Sequence, residues 1–216
     1  KLGIDRIHKA AQKLGLGVPT GLGLPGESDG VFPNRQWKLR NIGDRWRIGD
    51  TIVASIGQGY VLSTPLQLAV MTSRLVNGGL AVTPRVARVL NEDGGAEPFP
   101  APESLNIDPA HLAIIREGMD MVVNHPTGTA HRVANANPAF AFGGKTGTAQ
   151  VRRITAAERE TGVIKNEDLP WERRDHALFV GYAPLHQPRY AVSVVVEHGG
   201  GGSAVAAPVA RDLVLA

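Results

Sequence analysis

The 216-residue chain is 43% hydrophobic, carries a net charge of +3 and has no cysteine. That content allows a real core and excludes disulfides, thiol catalysis and thiolate metal sites. Charges of both signs are interspersed, which argues against a nucleic-acid footprint, and apolar runs such as residues 191–197 are far too short to cross a bilayer.

Lys1-Leu2-Gly3 opens directly into a helical pattern, with neither an initiator methionine nor a signal-peptide pattern. The chain is therefore expected to begin inside a longer protein. Ile4, Ile7, Ala11 and Leu14 recur at helical spacing, while Asp5, Arg6, Lys9 and Lys13 face away. Gly15 and Gly17 are expected to end this helix. Residues 15–50 are rich in glycine, proline and charge, and read as long irregular structure with tight turns. Trp37 and Trp46 are expected to pin that tract to the core.

Thr64, Pro65 and Gln67 spell a helix start: a cap, a proline at the first helical position and a capping-box partner. Leu68, Met71 and Leu75 are the expected buried stripe, and Asn77-Gly78-Gly79 the stop. Residues 80–90 read as a strand, with Pro84 suggesting a sheet edge. A second helix is expected from Asp108-Pro109 to His125-Pro126, with Leu112, Ile115, Met119 and Val122 inward. A short helical turn is expected within residues 127–133. Residues 139–151 read as extended. Two runs, residues 177–182 and Tyr190 to Glu197, read as an antiparallel hairpin around Pro184 and Pro188. Residues 152–175 are dense in charge and read as a solvated excursion with a short helix near residues 156–160. Residues 199–202 read as a flexible connector before a helix over residues 203–215. The coarse answer is an α+β fold, or part of one.

Chemistry concentrates in Gly144-Lys145-Thr146-Gly147-Thr148. On a strand, side chains alternate, so Lys145 and Gly147 share one face while Thr146 and Thr148 share the other. Two hydroxyls then stand side by side as donors to an anion, with the Lys145 charge close by. Gly147 leaves room for another backbone to approach. Such an edge suits a peptide carboxylate lying along the strand. A bare K-T-G arises often by chance, so its weight comes from the strand it sits on and from matches elsewhere.

Those matches are Leu14-Gly15-Leu16-Gly17, Leu24-Pro25-Gly26-Glu27, Gly43-Asp44, Ser55-Ile56-Gly57-Gln58-Gly59 and Thr64-Pro65-Leu66-Gln67-Leu68-Ala69. They continue through Asn77-Gly78-Gly79, Gly128-Thr129-Ala130, Lys145-Thr146-Gly147-Thr148-Ala149-Gln150, Asp175-His176-Ala177 and Gly181-Tyr182-Ala183-Pro184. In this order and spacing the chain resembles the class B penicillin-binding proteins, the monofunctional peptidoglycan transpeptidases, and among them the elongation-type penicillin-binding protein 2. The pairing of K-T-G with S-x-x-K and an S-x-N or S-D-N motif belongs to that wider superfamily.

The resemblance implies that residues 1–216 are the carboxy-terminal portion of one transpeptidase domain: an antiparallel sheet flanked by helices, lacking the first strands and the S-x-x-K helix. It implies serine acyl transfer from D-alanyl-D-alanine stem peptides, lipid-linked or on nascent glycan, with β-lactams as inhibitors. Lys145 would orient the substrate carboxylate and tune the S-x-N hydroxyl. Thr146 and Thr148 would hydrogen-bond that carboxylate, beside Gly147. The Thr148 backbone N–H would be one of two oxyanion donors. No cofactor or metal is implied. Cell-elongation proteins are the implied partners, and the periplasmic face of the bacterial inner membrane the implied location. A septation-type transpeptidase, a β-lactam-sensing receptor, a non-catalytic module of the same fold and a class D-like β-lactamase are the rival readings.

None of Ser28, Ser55, Ser63, Ser73, Ser104, Ser193 and Ser203 has a lysine three residues later. The S-x-x-K motif is therefore expected upstream of Lys1, and the resemblance implies that the family's S-x-N motif lies there too. The family's sheet has five strands, so the strand from Tyr190 to Glu197 is expected to lack a neighbour and to offer a free edge for association. His125 and His131 are six apart and His198 follows Glu197, spacings that do not spell a metal site. Glu197-His198 reads as a strand end turning into a loop.

Overall fold

A computed structural model describes residues 2–88, 90, 94–95, 98–152 and 154–216. It divides into two compact units that meet in sequence between Pro109 and Ala110.

The first unit opens with α1 (Ile4–Leu14), which buries Ile4 and Ala11 and stops at a left-handed Gly15, as the periodicity predicts. The tract expected to be irregular holds one helix, α2 (Arg35–Ile42), and its end runs into a second, α3 (Ile48–Ser55). Asn34 caps α2 by accepting the Trp37 backbone N–H at 2.7 Å, and Gly43 ends it. Sequence periodicity misses α2 because the residue it buries is a lysine. Lys38 is 3% exposed. Its ammonium donates to Asp50 Oδ2 at 2.8 Å and lies 3.5 Å from Asp44 Oδ2. The Asp50 hydrogen bond is the first cause that raises the lysine above its usual range. The tryptophans are only half-buried and make local contacts rather than reaching the core: Trp37 lies against Tyr60 with ring centroids 5.4 Å apart, and the Trp46 indole N–H donates to Thr51 Oγ1 at 2.8 Å.

Helix α4 (Pro65–Val76) starts as predicted, with the reciprocal Thr64–Gln67 capping box and Pro65 in its first turn. Its buried face is rotated, however. Gln67, Val70, Thr72, Leu75 and Val76 are inside, while Leu68 and Met71 are only half-buried. Gln67, 0% exposed, explains part of the rotation. Its amide donates to Val18 O and Asp29 O, both at 2.8 Å, and its Oε1 accepts the Thr64 N–H at 3.0 Å. One side chain therefore closes the helix start and ties down the loop before α2. Gln67→Leu would leave two carbonyls and an N–H without partners, at about 1–3 kcal/mol for each buried group left unpaired. We expect a loss of about 3 kcal/mol, read as a lowered denaturant midpoint of the chain. Gln67→Glu should do no better, because it turns an oxygen toward those carbonyls. A change below about 1 kcal/mol would remove Gln67 from this role.

Residues 80–90 do not form the expected strand. Leu80 makes an isolated antiparallel bridge to Ser104, and Ala81 donates to Glu103 O at 2.8 Å. Val89 of that expected strand lies outside the described residues.

Helix α5 (Pro109–Asn124) buries Leu112, Met119 and Val123, whereas Ile115, expected inward, is 39% exposed. A 3-10 turn follows at His131–Val133. The second unit then builds an antiparallel sheet in the order β1 (Gly143–Ala149), β2 (His176–Ala183), β3 (Tyr190–Val196). Between β1 and β2 the predicted short helix appears as α6 (Ala156–Thr161). After β3, a π-helical turn at Gly202–Ala206 leads into α7 (Ala207–Leu215), which packs on β2 and β3. Val123, Val133, Phe142, Phe179, Val194, Ala207 and Ala210 share one core cluster. The architecture is α+β, with helices against an antiparallel sheet. Among the described residues β3 pairs with β2 alone, and the strand ends at Val196.

Candidate functional site at the outer strand

All four residues of Lys145-Thr146-Gly147-Thr148 lie on β1, as expected, and β1 is an outer strand of the described sheet. Its inner edge is zipped to β2 in unbroken register, from Gly143 opposite Tyr182 to Ala149 opposite His176. Gly144 has to be glycine. A Cβ there would sit 2.2 Å from the Phe179 ring and 2.6 Å from Val180 O. The strand thus lies directly on the aromatic floor supplied by β2. Tyr182, 0% exposed, belongs to that floor, and burial is the first cause that pushes its phenol up.

Lys145 and Thr148 are exposed and Thr146 is half-buried. The Lys145 ammonium donates to Thr146 O at 2.8 Å, which holds the charge along the strand. Thr146 Oγ1 lies 3.3 Å from Thr129 Oγ1, on the tight loop after α5. That loop is wound close by Gly128, whose N–H donates to His125 O, and by Ala130, whose N–H donates to Val122 O. Thr129 is a neighbour that strand alternation could not reveal; the only sequence signal was its place in Gly128-Thr129-Ala130.

A Cβ on Gly147 would meet the Leu178 side chain first, at 3.2 Å, so the close backbone contact here depends on the glycine at 202. A Cβ on Gly202 would lie 2.4 Å from Gly147 O and 2.3 Å from Leu178 O. The glycine run at 199–202 is therefore held rather than free: Gly200 N–H donates to Asp175 O at 2.8 Å, and Gly200 and Gly202 are buried.

The charged excursion also folds back on the sheet. Its helix α6 is capped by Thr155 with Glu158. The Glu158 carboxyl is held below its usual range, first by the Thr155 backbone N–H and then by Arg152. At the far end, Asp175 and Asn166 make a reciprocal pair. The Asp175 N–H donates to Asn166 Oδ1 at 2.8 Å, and Asn166 Nδ2 donates to Asp175 Oδ2 at 3.2 Å. Asp175 Oδ1 accepts the Val151 N–H at 3.2 Å, just past the Lys145 strand.

His198 takes a left-handed backbone, with φ 54°. Its N–H donates to His176 Nδ1 at 2.9 Å, and its own Nδ1 lies 3.0 Å from Arg174 O. A carbonyl only accepts, so His198 carries its proton on Nδ1 and His176 is an acceptor at Nδ1. His198 is thus a packed strand-end residue rather than a base beside Glu197.

One S-x-N triplet does occur in the chain, at Ser104-Leu105-Asn106, outside the motifs that carry the family resemblance. Its hydroxyl is used locally: Ser104 Oγ accepts the Asn106 N–H at 3.1 Å in an exposed turn, where Asn106 has φ 51°. The turn lies in the first compact unit, whereas Lys145 to Thr148 lie in the second.

Comparisons with known proteins cover nearly the whole chain. The penicillin binding protein transpeptidase domain matches residues 1–215. The peptidoglycan D,D-transpeptidase MrdA of Acinetobacter baumannii is 39% identical, over 97% of this chain and 31% of that protein. Pseudomonas aeruginosa PBP2, solved with WCK 5153, superposes with a TM-score of 0.80 at 39% identity, over 99% of this chain and 43% of that one. Helicobacter pylori PBP2, solved as a complex with MreC, gives a TM-score of 0.81 at 31% identity, over 99% of this chain and 35% of that one. The chain spans about a third of the length of the curated relatives it matches. On its matched residues, its sheet and its K-T-G strand, the chain belongs to the penicillin-binding protein transpeptidase family.

Proposed function

We propose that the protein carrying this chain cross-links peptidoglycan by serine acyl transfer, and that residues 1–216 form the carboxy-terminal part of its transpeptidase domain. The observation that carries this reading is an outer strand presenting a lysine and two threonine hydroxyls, seated on glycines that admit no side chain. The terminal carboxylate of a D-alanyl-D-alanine stem peptide lies against Thr146 and Thr148. Lys145 supplies the positive field that orients it and tunes the S-x-N hydroxyl. The Thr148 backbone N–H stabilises the oxyanion as the serine attacks the penultimate D-alanine carbonyl. D-alanine leaves, and an amine from a neighbouring stem resolves the acyl-enzyme. A β-lactam enters by the same carboxylate and stalls at the acyl stage.

The nucleophile comes from outside these residues, since no serine in them has the S-x-x-K spacing. Membership of the family supports a location at the periplasmic face of the bacterial inner membrane. The MreC complex of the Helicobacter pylori neighbour supports a cell-elongation protein as its partner. The outer edge of β3, from Tyr190 to Val196, is covered in the whole protein by a strand from outside this chain, or pairs with a second copy.

A fluorescent penicillin tests the reading. The intact protein is expected to become covalently labelled, with unlabelled benzylpenicillin competing. Residues 1–216 alone are expected to take no label. Label on this fragment would overturn the placement of the nucleophile, and an unlabelled intact protein would overturn the activity.

A further inference from the structure

We infer that Asp175 is a positioning residue for acyl transfer: with Asn166 it clamps the exit of the Lys145–Thr148 strand and so aims the Thr148 backbone N–H. This rests on the reading of Thr148 as an oxyanion donor. Thr148 is three residues before Val151, whose N–H is held by Asp175 Oδ1 at 3.2 Å. It also pairs with Ala177, two residues after Asp175. The same aspartate therefore grips both strands where they diverge. Its main chain binds two further segments: its carbonyl accepts the Gly200 N–H, and its N–H donates to Asn166. Gly200 belongs to the run that sets Gly202 against Gly147. Next door, His176 Nδ1 accepts the His198 N–H, fixing the end of β3. The strand exit, the charged excursion, the end of β3 and the glycine run thus converge on Asp175-His176, beside the proposed oxyanion donor.

The contacts of this cluster run within the protein, so the contribution assigned to it is geometric. An oxyanion donor acts only when it meets the developing charge at hydrogen-bond distance, and small displacements are costly. The hydrogen-bond pattern makes a reciprocal test possible. In Asp175→Asn, the new Nδ2 faces Asn166 Nδ2, donor against donor, because the Asp175 N–H already fixes the Asn166 orientation. In Asn166→Asp, two carboxylates face each other. The double swap restores all three bonds: Asp at 166 accepts the 175 main-chain N–H and the new Asn amide, and Asn at 175 still accepts the Val151 N–H.

The experiment measures the acylation rate constant and the encounter affinity for benzylpenicillin in the intact protein, with thermal melts as the folding control. Each single variant is expected to slow acylation about tenfold with encounter affinity within about twofold, and the swap to recover most of the rate. Single variants that melt like wild type and acylate at its rate would overturn the inference, as would a folded swap that stays slow. If the singles unfold, the folded swap alone decides. An unlabelled wild type would instead remove the transpeptidase reading, so the two failures are distinguishable.

Discussion

Gly202→Ala is expected to be among the most damaging single-methyl changes in the second unit, lowering stability by about 3 kcal/mol, at the upper end of ordinary overpacking. The added Cβ would meet Gly147 O at 2.4 Å and Leu178 O at 2.3 Å. Both are backbone atoms of paired strands, so neither can rotate away as a flexible side chain would. Relief requires the π-helical turn to lift, or β1 to shift on β2. Either moves Thr148, so penicillin acylation of the intact protein should fall at least tenfold, more than the stability loss explains at temperatures where the variant is folded. Gly201→Ala is the internal control, because a Cβ there meets only Ala204 Cβ, at 4.0 Å. Equal effects from the two substitutions would show that the glycine run matters for chain freedom and not for close approach.

How much of this was legible in the sequence depends on how local each determinant is. The α4 start was readable because Thr64, Pro65 and Gln67 satisfy one another within a single turn. Its buried face was not, because Gln67 turns inward to meet the carbonyls of Val18 and Asp29, far away in sequence. Helix α2 was hidden for a similar reason: its inward residue is Lys38, made acceptable by Asp44 and Asp50 outside the helix. The hairpin was plain, since strand-forming residues and bracketing prolines are local signals, whereas the extended run expected over 139–151 is a strand only at Gly143–Ala149, after a 3-10 turn at Pro138–Phe140. The glycine run at 199–202 looked free because Asp175, which holds it, is distant in the chain. Residues 80–90 carry strand-like residues, but among the described ones no continuous strand forms, and Leu80 and Ala81 bridge to Ser104 and Glu103 instead, so propensity there exceeds what the tertiary structure uses. For the site itself, family motifs named Lys145, Thr146, Gly147 and Thr148. Thr129 and Asp175 stood in other matched motifs, but only the structure sets them, with Gly202, beside that strand.

The second large effect concerns the two hydroxyls. Replacing both Thr146 and Thr148 by valine keeps the β-branched shape that suits a strand and removes only the donors. A hydrogen bond to a charged group contributes about 1.5–3 kcal/mol. Losing two should cost about 3–6 kcal/mol in transition-state stabilisation, or roughly 10²–10⁴ in acylation efficiency. Fold stability should fall by no more than about 1–2 kcal/mol, from loss of hydroxyl contacts such as Thr146 to Thr129, because the register to β2 is carried by main-chain bonds. The loss should appear only with ligands that carry the carboxylate.

Hence the most direct measurement is the acylation efficiency of benzylpenicillin against that of its methyl ester, in the intact protein, with and without Thr146→Val/Thr148→Val. If this strand binds the carboxylate, the wild-type protein reacts with the acid at least 10²-fold better than with the ester. The double variant then reacts with both at similar, low rates. If the folded variant still prefers the acid by the wild-type margin, the carboxylate is bound elsewhere and the central claim is wrong.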